Sequence, residues 1–167
     1  MTSAPLNAAL AAATKANPPE PVEVIRLEYA PLKYVVSKVS LDFKLYTGRT
    51  VVESVMTVVK NDLPNGDSAP GEDGLVLDGE EATVKLLELS VDGCEALAAD
   101  VDYVLKPGKL IINGDALRRG ATNNGDVMIV RTTVEIVPED NTQLSGLYKS
   151  GDMYCTQCEA EGFRRIT

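Results

Sequence analysis

The sequence contains no histidine among its 167 residues. Histidine is the commonest general base near neutral pH and the commonest zinc ligand in proteins. Its absence excludes a Ser-His-Asp triad, a Cys-His pair and a His-Glu-x-x-His zinc motif from this chain. Chemistry of these kinds would therefore need residues that the sequence does not supply.

Positive charge is in the minority. The chain has 16 Lys and Arg residues against 25 Asp and Glu residues, which gives a formal net charge of −9. An acidic surface repels phosphate backbones and anionic lipid, so we expect no nucleic-acid partner and no membrane partner. The sequence also lacks an apolar run of membrane-spanning length, which argues against a transmembrane protein.

Cysteine is scarce, with three residues, Cys94, Cys155 and Cys158. They are too few and too oddly counted for a disulfide scaffold, and no secretory signal peptide is visible, so a reducing compartment is expected. We expect a cytoplasmic protein. A plastid or another organelle is the alternative, because residues 1–20 form an Ala-rich, acid-poor extension.

What the chain does contain is a series of short segments in which apolar and polar residues alternate. In residues 34–46, "YVVSKVSLDFKLY", this alternation predicts a half-buried antiparallel strand. Its apolar side chains are predicted on one face: Val35, Val39, Leu41, Phe43 and Leu45. Residues 51–60 are rich in β-branched residues and follow a turn-like Thr-Gly-Arg, so we predict that they form the hairpin partner.

Further short strands are predicted at residues 75–79, 83–93, 103–114 and 126–139. The third of these segments is predicted to be a hairpin that turns at Pro107-Gly108. Many short strands separated by Gly, Asn and Asp turns predict an all-β fold, an antiparallel β-sandwich or saddle-like domain.

The length suits one domain. We predict a flexible N-terminal extension at residues 1–20 and a β domain at residues 21–167. Residues 141–167 show neither strand alternation nor a helical stripe, so they are predicted to be a functional loop docked on the β core.

Two cysteines lie in that loop, within "YCTQCEAEGFRRIT" at residues 154–167. Cys155 and Cys158 could be half of a zinc site, a redox pair, or bystanders. A zinc site needs about four ligands, and a thioredoxin-like pair lies in a βαβ context. Neither a second pair of ligands nor that context is visible, so bystander cysteines are the favoured interpretation.

The acidic residues of the same segment leave two possibilities open. Glu159 and Glu161 are two residues apart, so in an extended loop both side chains point the same way. They could form a solvated acidic surface paired with Arg164 and Arg165. Alternatively, one carboxylate could face the cation of a ligand. The residue types alone do not choose between these hypotheses.

A resemblance favours the second hypothesis. Residues 146–167, "GLYKSGDMYCTQCEAEGFRRIT", closely resemble the aminopeptidase N type of the M1 zinc metallo-aminopeptidases, in the bacterial, plant and algal branch. Weaker similarity continues upstream in "IRLEYAPLKYVVSKVSLDFKL", "LVLDGE", "LSVDG" and "EIVPEDNTQLSGLY", in the order and spacing of the family's N-terminal domain. The resemblance covers about residues 20–167.

The resemblance implies a saddle-like β domain that packs on a catalytic domain. It also implies a parent enzyme that uses zinc to remove single residues from peptide N-termini. Gln157 and Glu159 match the family positions that bind the substrate's free α-amino group. Four neighbours are expected to support that loop: Ala160, which leaves room for the substrate, and Glu161, Arg164 and Arg165, as ion pairs.

The chain also departs from the family pattern. It lacks the zinc-binding motif, the Gly-Ala-Met-Glu-Asn motif and the tyrosine that stabilises the oxyanion, all of which the family carries downstream. We therefore expect a domain that is incomplete at its C-terminal end, binds no zinc, carries no catalytic residue and is inactive alone. Its expected partners are the missing catalytic domain and a peptide N-terminus. The alternative is a non-catalytic, stand-alone β-sandwich interaction module derived from the family.

Overall fold

The computed structural model describes residues 32–61, 74–80, 82–94, 96–121, 127–159 and 161–167. The predicted N-terminal extension lies outside the described residues. The described strands are β1 Tyr34–Tyr46, β2 Arg49–Lys60, β3 Gly74–Asp78, β4 Lys85–Val91, β5 Tyr103–Lys106, β6 Lys109–Asn113, β7 Val127–Ile136, β8 Gly146–Ser150 and β9 Met153–Gln157. A helix, α1, spans Gly114–Arg119, and a 3-10 helix spans Gly162–Arg165. The all-β prediction is thereby confirmed.

The main sheet has four antiparallel strands in the order β1-β2-β7-β4. Strand β2 is rich in β-branched residues, and its even-numbered side chains from Thr50 to Val58 are all buried, as is Val51. They lie in register with the even-numbered side chains of β7. One face of the sheet therefore carries the core, as the period of two predicts.

The predicted apolar face of β1 is wrong at its first residue. The pairing of β1 with β2 shifts between Val36 and Lys38, which marks a β-bulge at Ser37. The extra residue reverses the alternation, so Tyr34 and Val36 pack in the core and Val35 points to the opposite face. Strict alternation along a sequence cannot reveal such a bulge.

Two smaller sheets pack on the core face. The sheet β3-β6-β5 and helix α1 contribute Leu75, Ile112 and Leu117 to an apolar cluster with the main sheet, which we call the helix-side cluster. The predicted hairpin at Pro107-Gly108 is confirmed, with Gly108 at a φ of 73°. Within the described parts of the chain, no helix combines the length and apolarity needed to cross a membrane.

The third sheet is a correction to the sequence analysis. The sequence predicts a functional loop at residues 141–167, but these residues contain the antiparallel hairpin β8-β9 and the 3-10 helix. Leu147, the Tyr154 ring and Ile166 pack against Val52 and Val134 of the main sheet, in what we call the hairpin-side cluster. The few apolar residues of this hairpin make its alternation too short to recognise in the sequence.

Candidate functional site

The predicted site residues lie at the end of β9 and just after it. Gly146 of β8 pairs with Gln157 at the end of β9, and the chain then turns before entering the 3-10 helix. The turn is closed by a hydrogen bond from the Gly162 backbone N–H to the Glu159 carbonyl, with an N···O distance of 3.2 Å. Glu161 has a left-handed backbone with a φ of 72°, a conformation that is uncommon outside glycine.

Gln157 and Glu159 are brought together on the surface of the domain. Both are exposed, and the Glu159 backbone N–H donates to Gln157 Oε1 at 3.0 Å. Among the described residues, no hydrogen bond or ion pair to the Glu159 carboxylate is found. The turn therefore presents an oriented amide oxygen beside a carboxylate, and both can accept hydrogen bonds from a cation.

The predicted supporting arginines form ion pairs around this turn. Arg164 Nη2 lies 3.1 Å from Glu161 Oε2 and 3.8 Å from Asp78 Oδ2. Arg165 Nη2 lies 2.7 Å from Glu80 Oε2, and this arginine side chain is largely buried. Ala160 lies outside the described residues.

Glu80 is not predicted from the sequence, yet it makes two contacts with the 3-10 helix. Besides its ion pair with Arg165, its backbone N–H donates to the Arg164 carbonyl at 2.9 Å. Arg165 Nη2 also lies 3.3 Å from Gln143 Oε1, at the start of the hairpin segment. These contacts join the 3-10 helix to the loop between β3 and β4, and no local sequence signal could have revealed them.

Glu139 is a second residue that the sequence analysis missed. Its Oε1 accepts a hydrogen bond from the Tyr154 hydroxyl at 3.0 Å and from the Gly48 N–H at 3.4 Å. Hydrogen bonds from its own backbone N–H and from these partners lower the pKa of Glu139, although partial burial opposes the shift. The same carboxylate raises the pKa of Tyr154.

The cysteines are free thiols. Cys155 is half-buried in β9, Cys158 is exposed beside the turn, and Cys94 lies elsewhere, beside helix α1. The described residues contain no group of three or more Cys, Asp or Glu side chains that could hold a metal ion. Since zinc sites usually have three or four protein ligands, these residues do not fit a zinc ion.

The fold and the turn together define a β-sheet domain that presents a carboxylate and an amide on a braced surface turn. No protein-family model matches the chain. It is 35% identical over 147 residues to aminopeptidase N of Caulobacter vibrioides, covering 88% of this chain and 15% of that enzyme. It is 34% identical over 148 residues to aminopeptidase N of Escherichia coli, covering 89% of this chain and 14% of that enzyme.

A solved structure agrees with these relatives. The crystal structure of Legionella pneumophila aminopeptidase A in complex with aspartic acid matches with a TM-score of 0.63 and 29% identity, covering 83% of this chain and 14% of that one. These similarities fit an N-terminal part of an M1 aminopeptidase, and the fold agrees with the N-terminal β domain of these enzymes. The aminopeptidase N relatives imply zinc in the parent family. The chain spans about 15% of the length of the curated relatives it matches.

Proposed function

We propose that this domain supplies the substrate anchor of a zinc aminopeptidase, in which Glu159 and Gln157 bind the free α-amino group of a peptide. The observation that carries the proposal is the exposed Glu159 carboxylate beside the Gln157 amide oxygen, which the Glu159 N–H already orients. The relatives that match most of this chain are aminopeptidases, which supports a peptide N-terminus as the ligand.

The residue types suit an ammonium ligand. A carboxylate accepts charge-assisted hydrogen bonds, which are shorter and stronger than neutral ones. Gln157 Oε1 uses one of its two lone pairs on the Glu159 N–H, so the second can accept an N–H of the substrate. A blocked or internal peptide has no ammonium and would leave Glu159 without a partner, which gives the site a basis for rejecting such substrates.

A substrate anchor also has to be rigid. Fixing the α-amino group at one depth places the first peptide bond over the reacting groups, and errors of about 1 Å in such positioning lower rates strongly. The Arg165–Glu80 ion pair and the Gly162 hydrogen bond to Glu159 brace the turn on both sides. This bracing supports a positioning role, which a purely solvated acidic surface would not need.

The proposed partner is the catalytic domain of the parent enzyme. An apolar stripe on β1 supports such a partner, because Val39, Phe43 and Leu45 lie on the core face of the main sheet but remain 43%, 37% and 47% exposed. Apolar side chains on one strand at the sheet edge are typical of a surface that further protein covers.

The same stripe favours a second candidate. A stand-alone interaction module derived from the family would use the β1 edge to pair with another protein. Under this hypothesis Gln157 and Glu159 have no ligand. The two candidates therefore differ in what removal of the Glu159 charge does.

The test uses a hybrid enzyme in which residues 32–167 replace the matching segment of Caulobacter vibrioides aminopeptidase N. We expect Glu159→Gln to lower kcat/KM for an alanyl anilide by about 100-fold, the range expected for losing a charged hydrogen-bond acceptor. Gln157→Ala should lower it by about tenfold, because a neutral acceptor contributes less.

Glu88→Gln is the matched control, since Glu88 is an exposed acid on β4. It should leave kcat/KM within twofold of the unsubstituted hybrid. An active hybrid whose rate is the same with Glu159→Gln as with Glu88→Gln would rule out the anchor and leave the interaction module.

A further inference from the structure

The β8-β9 hairpin meets the main sheet through apolar and polar contacts. Leu147 and the Tyr154 ring pack against Val52 and Val134. The Lys149 backbone N–H donates to the Pro138 carbonyl at 3.1 Å, which ties β8 to the chain that follows β7. Strand β9, which carries Gln157 and leads to Glu159, is held through a side chain, the Tyr154 hydroxyl.

The Tyr154 hydroxyl donates a hydrogen bond to the Glu139 carboxylate. The carboxylate lies between the turn that joins β1 to β2 and the hairpin, because it accepts from the Gly48 N–H on one side and from Tyr154 on the other. Lys149 Nζ is the nearby cation, 4.0 Å from Glu139 Oε1 and 5.6 Å from the centre of the Tyr154 ring. Oε2 of Glu139 is buried without a hydrogen-bond partner among the described residues. All hydrogen bonds that the structure gives from other residues to this carboxylate therefore go to Oε1, so Gly48 and Tyr154 fix its position.

Strand geometry connects this contact to the proposed anchor. Tyr154 lies three residues before Gln157 in β9, which is about 10 Å along an extended strand. Between them β9 is paired with β8, from Tyr154 with Lys149 to Gln157 with Gly146. A paired strand is stiff, so fixing Tyr154 also fixes the direction in which β9 delivers Gln157 and the turn.

We propose that Glu139 is a positioning residue for the substrate anchor, acting through the Tyr154 hydroxyl and β9 on Gln157 and Glu159. Its consequence for catalysis rests on the proposed function, whereas its effect on the order of β9 does not. Packing of the Tyr154 ring attaches the hairpin to the main sheet, and the Glu139–Tyr154 hydrogen bond sets the orientation of β9. A carboxylate that only stabilised the fold would affect all strands alike.

The charge state of Glu139 makes the strength of the Glu139–Tyr154 hydrogen bond depend on pH. The groups that face this carboxylate are the Tyr154 hydroxyl, the Lys149 ammonium, the Gly48 N–H and its own backbone N–H. Because the folded state lowers the pKa of Glu139, the stabilisation is present above the ordinary glutamate pKa of 4.5 and is lost as the pH falls through the lower folded value.

The test measures hydrogen exchange of individual amides in the 167-residue chain by NMR, with Glu139→Gln, Tyr154→Phe and the double variant. We expect each single substitution to accelerate exchange of the amides from Tyr154 to Glu159 by about tenfold, and the double variant to add little more, because both remove one interaction. Amides of β3, β5 and β6 should keep their rates.

Glu53→Gln is the matched control, because Glu53 pairs with Lys44 away from the hairpin. In the unsubstituted 167-residue chain, the chemical shifts of the β9 amides should also titrate with Glu139 in acid. Glu139→Gln should abolish that titration. Tyr154→Phe keeps the packed ring, so it carries the test if Glu139→Gln fails to fold.

Equal acceleration in every strand, or acceleration that stops before Gln157, would overturn the positioning role. In the hybrid aminopeptidase, Tyr154→Phe should raise KM more than it lowers kcat. If the exchange result holds but Glu159→Gln has no effect on that enzyme, the proposed function fails and the positioning of β9 stands.

Discussion

At the scale of single residues, Gly162 shows how closely the site turn approaches the hairpin. A Cβ atom at this position would lie 2.8 Å from Ser145 Oγ, 3.0 Å from the Gly146 nitrogen, and closer still to the Gln157 carbonyl oxygen. Its φ is not in the left-handed region, so the requirement for glycine here is space alone. The sequence shows only another glycine in a polar segment.

We therefore predict that Gly162→Ala separates the 3-10 helix from the end of β9. The backbone atoms that the methyl group would meet cannot move cheaply, so the substitution should lower the free energy of unfolding by about 1–3 kcal/mol. Urea unfolding would measure the loss. Gly79→Ala is the matched control, because a methyl group at Gly79 meets nothing within 4 Å and its φ is ordinary. Equal stability of the two variants would contradict the close approach.

At the scale of strands, the sequence predicts the elements whose conformation depends on residues close together in the chain. The β1-β2 and β5-β6 hairpins follow from alternation next to a Gly turn, and both signals are local. The bulge at Ser37 and the hairpin β8-β9 were missed, because they depend on packing between distant segments. A short hairpin whose docked face has two well-packed side chains, Leu147 and Tyr154, has no pattern of its own.

The candidate site likewise contains residues that the sequence could indicate and residues that it could not. Gln157 and Glu159 were selected through resemblance to a family, since their residue types alone fit a solvated surface equally well. Their role and the domain boundaries stay predictions. Glu139 could not be found, because one of its partners, Gly48, is 91 residues away in the sequence. Contacts of that kind exist only after the main sheet has formed.

The apolar stripe on β1 leads to a prediction at the same scale. Val39 and Val52 lie on the same face of adjacent strands, but Val39 is 43% exposed and Val52 is fully buried. Val39→Thr should change the free energy of unfolding by less than about 0.5 kcal/mol, as surface substitutions usually do. Val52→Thr should lower it by about 1–3 kcal/mol, because it buries a hydroxyl. Urea midpoints compare the two, and a large loss for Val39→Thr would show that β1 is covered.

At the scale of the whole molecule, one sheet face serves two apolar clusters. The helix-side cluster uses Met56 and Val130, and the hairpin-side cluster uses Val52 and Val134. Between these two rungs the register pairs Ser54 with Thr132. A polar rung thus separates the part of the core that carries α1 from the part on which the proposed anchor rests.

The polar rung is not fully satisfied. Ser54 is 2% exposed and its Oγ has no hydrogen-bond partner among the described residues, whereas Thr132 Oγ1 lies 3.5 Å from Thr167 Oγ1. Burying an unpaired hydroxyl costs about 1–3 kcal/mol. We therefore expect the core to be more stable without the Ser54 oxygen, while the Thr132 hydroxyl remains in the rung.

We predict that Ser54→Ala raises the free energy of unfolding by about 1 kcal/mol, because it removes the unpaired oxygen and leaves a methyl group that needs no hydrogen-bond partner. Ser40→Ala on β1 is the matched control; Ser40 is exposed, so its free energy of unfolding should change by less than about 0.5 kcal/mol. Urea unfolding measures both. A loss of stability in Ser54→Ala alone would mean that the hydroxyl binds a buried partner such as water.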